Sequence, residues 1–423
     1  MAIVFALMVL FIQEGWTYYV SVQTAALVFL AGVLSHAVLD IRVTRLVLAV
    51  YFLFATMLFV TVAMMPATIS QNSPDIVVTT IGVLGYVTLI LAMININPVR
   101  AEWLLRFYRF SAATIIVSIV ALVAMTDFGV VPGLTREYFI FQNVGLITNW
   151  AMMDVLVNDL TRRNARGVLP DIDLFYGEQS FLSLVLFVSL VSHVVASRAL
   201  GFLRGDAARQ GIWGVPAPLL LGGVACMVYI QSFSSLFYAA ILLGFFSVNV
   251  LRRAMTIRLT LIKTTALMLL VVTMSWVAID TLPYYWHRLT TFSESISAQQ
   301  RFGILFDFLP QDFLLGLHEP DRMPPAGFHN GLIYVVMMAG IGGIGLLAYL
   351  MHRVAQLAHP LGLAVLSLLA VLAVFSQNGA IFSPNKLVIL SLVVIPLCSV
   401  RAHQVNGVSL HRLCNEGPAR EQD

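Results

Sequence analysis

The chain has 423 residues, 59% of them hydrophobic and 11% charged, with a formal net charge of +3. Soluble domains carry about 25% charged residues, so this composition excludes a water-soluble globular fold, and the net charge is too small for a nucleic-acid binder. The apolar runs are continuous and do not alternate as β-barrel strands do, which leaves an α-helical bundle with lipid as its solvent.

The first apolar segment, residues 1–12, is short. It lacks a basic n-region and a small-residue cleavage site, so it reads as a retained span and not as a signal peptide. Segments 18–38, 46–65, 76–94 and 110–126 follow, completing an N-terminal group of five helices over residues 1–126. Residues 127–179 read as an external segment. Within it, 139–158 is apolar but contains Gln142, Asn143, Asn149, Asp154 and Asn158, which a lipid-facing span tolerates poorly. It is expected to be amphipathic or re-entrant. Spans 180–197, 213–230, 235–251 and 260–281 fill residues 180–281. A large external loop covers 282–330, spans 331–351, 360–376 and 384–400 fill 331–400, and residues 401–423 form a polar tail.

The expectation is therefore an all-α polytopic membrane protein with about twelve transmembrane helices. Charge orients it. With 139–158 outside, sixteen of the 24 Lys and Arg fall in segments assigned to the cytoplasm, and both termini are cytoplasmic. If 139–158 crossed, Arg42, Arg45, Arg100, Arg106 and Arg109 would move outside against that trend. Cys226 and Cys398 lie in apolar runs and Cys414 in the tail, so no disulfide framework is indicated. No internal repeat points to an inverted-repeat transporter.

Basic residues in the external segments run against the positive-inside trend and mark candidate chemistry. Arg163 and Arg166 lie in "TRRNARG", and Arg288, Arg301 and Arg322 in the second loop. A guanidinium offers paired planar donors suited to phosphate oxygens. The plainer roles are contact with lipid headgroups or pairing with Asp159, Asp171 and Asp173. Glu178 stands just before a span, where it could pair with an Arg, bind a sugar hydroxyl, or favour the helix N-terminus. His329 titrates near neutral pH and can accept a proton from an attacking hydroxyl; equally it could cap the helix starting near 331. Asn330 could orient it or bind substrate. Trp286, beside Tyr284 and Tyr285, could stack on a sugar ring or anchor the interface. Ser232, Ser234 and Ser235 could cap a span or form a site floor. His318 and His329, eleven residues apart, fit no common metal site, and no cofactor is expected.

The order of these features resembles the O-antigen polymerase and ligase superfamily of bacteria. The residues that carry the likeness are "RGVLPDIDLFYGEQS" before a span, "QSFSS" before another, then a large outer loop with "QQRFGILFDFLPQDFLLGLHEP" that ends in "HNG" ahead of "GIGGIG". The resemblance covers roughly residues 160–400. In it, "HN" is His329 and Asn330, and the loop arginine is Arg301. Gly316 keeps the first glycine of a p-hydrophobic-G-x-G pattern, with His318 replacing the second. "GEQS" has Gln179 where many polymerases have Pro, and Ser232-Phe233-Ser234 lacks the Arg of a common S-R-S.

The resemblance implies a GT-C-type, metal-independent glycosyltransferase of the bacterial inner membrane, with its active site facing the periplasm. It would act on undecaprenyl-pyrophosphate-linked oligosaccharides in the synthesis of O-antigen of lipopolysaccharide, capsule or exopolysaccharide. His329, Arg301 and Glu178 would be catalytic. Arg166, Arg163, Asn330, Arg288, Arg322 and Trp286 would bind substrate. Expected partners are membrane lipids, a chain-length regulator and a flippase. A ligase passing finished glycan to a lipid core or protein would use the same donor machinery. A transporter or flippase is the alternative from another class, disfavoured by the scarcity of charge within the spans.

Overall fold

The computed structural model describes residues 1–10, 20–64, 73–127, 179–204, 216–230, 232–253, 310–316, 330–377 and 382–415. Within them the helices are α1 (Ala2–Leu10), α2 (Val20–Ala37), α3 (Arg45–Met64), α4 (Ser73–Ile94), α5 (Ala101–Asp127), α6 (Gln179–Leu203), α7 (Ala217–Ile230), α8 (Phe233–Arg253), α9 (Pro310–Leu315), α10 (Gly331–Ala358), α11 (Ala364–Ser376) and α12 (Pro384–Asn415). Four regions are long and apolar enough to cross a membrane: Arg45–Met64, Ala101–Ala124, Ser180–Leu203 and Gly331–Leu361. Other described helices are apolar but shorter. The expected segment 139–158 and the expected span 260–281 lie outside the described residues.

α6 is the axis of the bundle. Every residue from Phe181 to Ser197 is buried, and α5, α7, α8, α11 and α12 all pack against it. A helix apolar around its whole circumference belongs inside a core. α3 is the opposite case. It packs one side on α10 and leaves Leu46, Phe52 and Phe59 exposed. Such large apolar faces are stable against hydrocarbon and would be a liability in water. Between helices in lipid the hydrophobic effect contributes little, and close backbone approach takes over. A Cβ added to Gly342 of α10 would lie 2.8 Å from the Cα of Phe54 in α3, so glycine sets that contact.

The structure departs from an all-α expectation at one point. β1 (Val38–Ile41) and β2 (Ile96–Pro98) form a two-stranded antiparallel ribbon, with Val38 opposite Pro98 and Ile41 opposite Ile96. The connections α2–α3 and α4–α5 leave their helices side by side, and their backbone groups satisfy each other. Asn95 fixes the corner: its amide donates to Leu91 O (2.8 Å), its side-chain oxygen accepts from Tyr349 Oη of α10 (3.0 Å), and its carbonyl accepts from Arg42 N (3.0 Å).

This ribbon end also holds Arg100, Arg106 and Arg204. Glu102 takes Arg204 at 2.5 Å and Arg106 at 2.6 Å. Both pairs are about half exposed, so solvent screens them and they add little to stability. Among the described residues the arginines belong to this end of the bundle, while Asn330 and the starts of α6, α8 and α12 lie at the other.

Candidate functional site

At the end remote from the ribbon, five helix termini meet. Lys386, in the first turn of α12, is 1% exposed. Its ammonium donates to Gln377 O (2.9 Å) and Val374 O (3.3 Å), where α11 ends, and stands 5.5 Å from the ring centroid of Phe181 at the start of α6. Carbonyls at a helix C-terminus lack helical donors, and their partial negative charge suits a cation. The Gln377 amide donates to Tyr238 Oη of α8 at 2.8 Å, and the Tyr238 ring stacks on Phe187 of α6 at 4.5 Å. Ser383 donates to the side-chain oxygen of Asn385, which is itself buried.

α8 enters this cluster through its serines. Ser232 Oγ accepts from Ser235 N (3.0 Å) and so caps the helix. It also lies 2.9 Å from Ser234 Oγ and 3.4 Å from Ser183 Oγ of α6. The capping role expected for these serines is met, and Ser232 adds a contact across two helices.

α10 arrives through Asn330, the one member of the implied catalytic and substrate-binding set within the described segments. It is 6% exposed, and its side-chain oxygen accepts from Leu332 N (3.0 Å) and Ile333 N (3.5 Å). The helix cap is therefore Asn330, one residue after the histidine for which a cap was considered. The side-chain NH2 remains as its donor toward a ligand. One turn on, the Tyr334 ring lies 6.1 Å from Phe382, just before Lys386. His329, Arg301, Glu178, Arg166, Arg163, Arg288, Arg322 and Trp286 lie outside the described residues. Their described neighbours do converge: Phe181, after Glu178, packs on Lys386, and Tyr334, after His329, packs on Phe382 at the start of the same α12 segment.

A second feature ties the outer loop to the bundle. α10 breaks at Ala339 (φ −143°, ψ 18°) and Gly340 (φ 46°, ψ −126°). The short helix α9 and the turn after it fill the break. Gly316, at φ 83°, has its N–H on Asp312 O at 2.9 Å. A Cβ on Gly340 would overlap the Leu314 carbonyl, and one on Gly316 would stand 2.6 Å from Thr61 Oγ1 and 2.7 Å from Met337 O. Thr61 of α3 donates to Leu315 O at 2.5 Å. Both glycines are required twice over, by a positive φ and by backbone packed where a side chain would be. Residues 310–316 are thereby clamped between α3 and α10, in the stretch of chain that links Arg301 to His329.

Sequence reasoning passed over Lys386, one of two lysines in the chain. The signal was available: a lysine two residues inside an apolar segment is costly and so points to function. Comparison with protein-family models, with curated proteins and with solved structures finds no match.

Proposed function

We propose that the chain is a glycosyltransferase that polymerises polyprenyl-pyrophosphate-linked oligosaccharide repeat units at the outer face of the bacterial cytoplasmic membrane. The observation that carries this reading is the convergence just described: Phe181, three residues after Glu178, stands under the buried Lys386, and Tyr334, five residues after His329, lies against Phe382 just before it, at the end of the bundle that lacks the arginine-rich ribbon. The N-termini of α6, α8, α10 and α12 lie at this end, and the positive ends of their dipoles favour an anion.

In the proposed reaction a hydroxyl of the acceptor sugar attacks the anomeric carbon of the donor. A new glycosidic C–O bond forms, the bond to the pyrophosphate oxygen breaks, and polyprenyl pyrophosphate leaves. His329 takes the hydroxyl proton. Arg301, Arg166 and Arg163 hold the charge that develops on the leaving group, work that is otherwise done by a metal. Arg288, Arg322 and Trp286 engage the glycan, and Glu178 orients an arginine or the acceptor. Asn330, its oxygen committed to the α10 cap, offers its NH2 to substrate. Lys386 adds a fixed positive potential beneath the site without reaching the surface.

Arg301→Lys and His329→Ala are each expected to insert normally and to reduce chain extension by at least a hundredfold. Lysine fails at 301 because a point charge does not reproduce a two-pronged donor, and alanine at 329 removes the base. The measurement is glycan length on gels from cells that carry each variant at matched membrane abundance. Full-length polymer from His329→Ala would remove the base assignment. Wild-type polymer from Arg301→Lys would reduce Arg301 to a generic charge.

A further inference from the structure

Between α5, α6 and α7 lies an open trough of about 800 Å³. One wall is a stripe of α5, Ala113, Ile116, Val117, Val120 and Ala124, spaced as one helical face. From Arg109 to Ala124 this stripe extends about 22 Å at 1.5 Å per residue, more than the ~15 Å of one leaflet's hydrocarbon. Its polar groups are gathered at the ribbon end, where Arg106, Arg109 and His193 line it.

Two of those groups are uncommitted. Arg106 is engaged by Glu102 at 2.6 Å. The exposed Arg109 guanidinium has no hydrogen-bond or ion partner among the described residues. His193 is 3% exposed, and its Nδ1 lies 3.0 Å from Arg109 O. A carbonyl only accepts, so Nδ1 carries the proton, and the neutral ring presents Nε2 as an acceptor. That Nε2 is buried, without accessible surface, and has no partner among the described residues.

We propose that this trough binds one anionic glycerophospholipid. The phosphate meets the Arg109 guanidinium, and an acyl chain lies along the α5 stripe. Basic pockets between membrane helices select anionic headgroups in this way, and a guanidinium suits phosphate oxygens. Neither the glycan chemistry nor the residues proposed for it enter this inference, because the polar end of the trough is opposite Asn330.

The test is native mass spectrometry of the purified full chain with phosphatidylglycerol, phosphatidylethanolamine and phosphatidylcholine at matched concentrations. One retained phosphatidylglycerol is expected, bound at least tenfold more tightly than phosphatidylcholine. Arg109→Gln, at an exposed position, should remove that preference. Gly222→Leu should weaken every lipid tested, since space around Gly222 on the trough wall is open and the leucine would fill it. Equal retention of phosphatidylcholine and phosphatidylglycerol, or an unchanged preference in Arg109→Gln, would overturn the site. Equal retention of phosphatidylethanolamine would likewise overturn the preference for an anionic headgroup.

Discussion

Gly340→Ala is expected to destabilise the purified protein by about 3 kcal/mol or more, read as a fall of many degrees in the apparent Tm in detergent. Alanine at this position must either hold φ 46° and ψ −126° or straighten α10. Holding that backbone costs of order 1–3 kcal/mol, and the new methyl would still overlap the Leu314 carbonyl. Straightening α10 instead expels α9 and Gly316, and with them the bond from Thr61 to Leu315. Gly345→Ala is the internal control. It lies in the same helix, and its added Cβ meets only Leu53 Cδ2 at 3.4 Å, so the gain in helix propensity should leave the Tm unchanged or slightly raised. If the two variants melt together, the clamp at the α10 break does not hold the fold. Under the proposed reaction Gly340→Ala also loses chain extension, because residues 310–316 connect Arg301 to His329.

Lys386→Met is the second large effect. Methionine matches the lysine stem in volume but removes the donor to Gln377 O and Val374 O. Each buried carbonyl left bare costs about 1–3 kcal/mol, and the cation over Phe181 goes too. A lower Tm together with a drop in chain extension of at least tenfold is expected. Lys386→Arg keeps the charge and should recover polymer more than stability, since a planar fork replaces an ammonium seated on two carbonyls. Wild-type Tm and wild-type polymer from Lys386→Met would show that the buried cation is idle.

These residues also show what the sequence could and could not disclose. Hydropathy located α3, α4, α6, α10 and α12 because long apolar runs carry their own signal in lipid. It placed the start of α5 at 110, whereas the helix begins at Ala101. The first turns carry Glu102 and Arg106, which hydropathy discounts and hydrogen bonding does not. The run from 360 was read as one span, yet His359–Leu361 is a 3-10 turn closed by Gly362 at φ 67°, and α11 begins only at Ala364. The ribbon of β1 and β2 was illegible, since strands of three and four residues have no periodicity to detect. The break at Gly340 was hidden for another reason. In the sequence "GIGGIG" marks only a glycine-rich apolar run, and the arrival of α9 from elsewhere in the chain selects the positive φ. At the candidate site, Asn330 was legible as a polar residue at a helix start, and its burial and cap were not. Lys386 was passed over: its charge at a span start was readable, but its partners come from α6 and α11, which no local pattern reveals.

The central claim, that this chain extends lipid-linked glycan, is tested most directly by deleting its gene in the native bacterium and resolving the surface glycan on gels. Glycan limited to a single repeat unit, restored to a ladder by the wild-type gene and not by His329→Ala, is the predicted result. An unchanged ladder after deletion would contradict it, and free lipid-linked polymer would assign the chain to the ligation step instead.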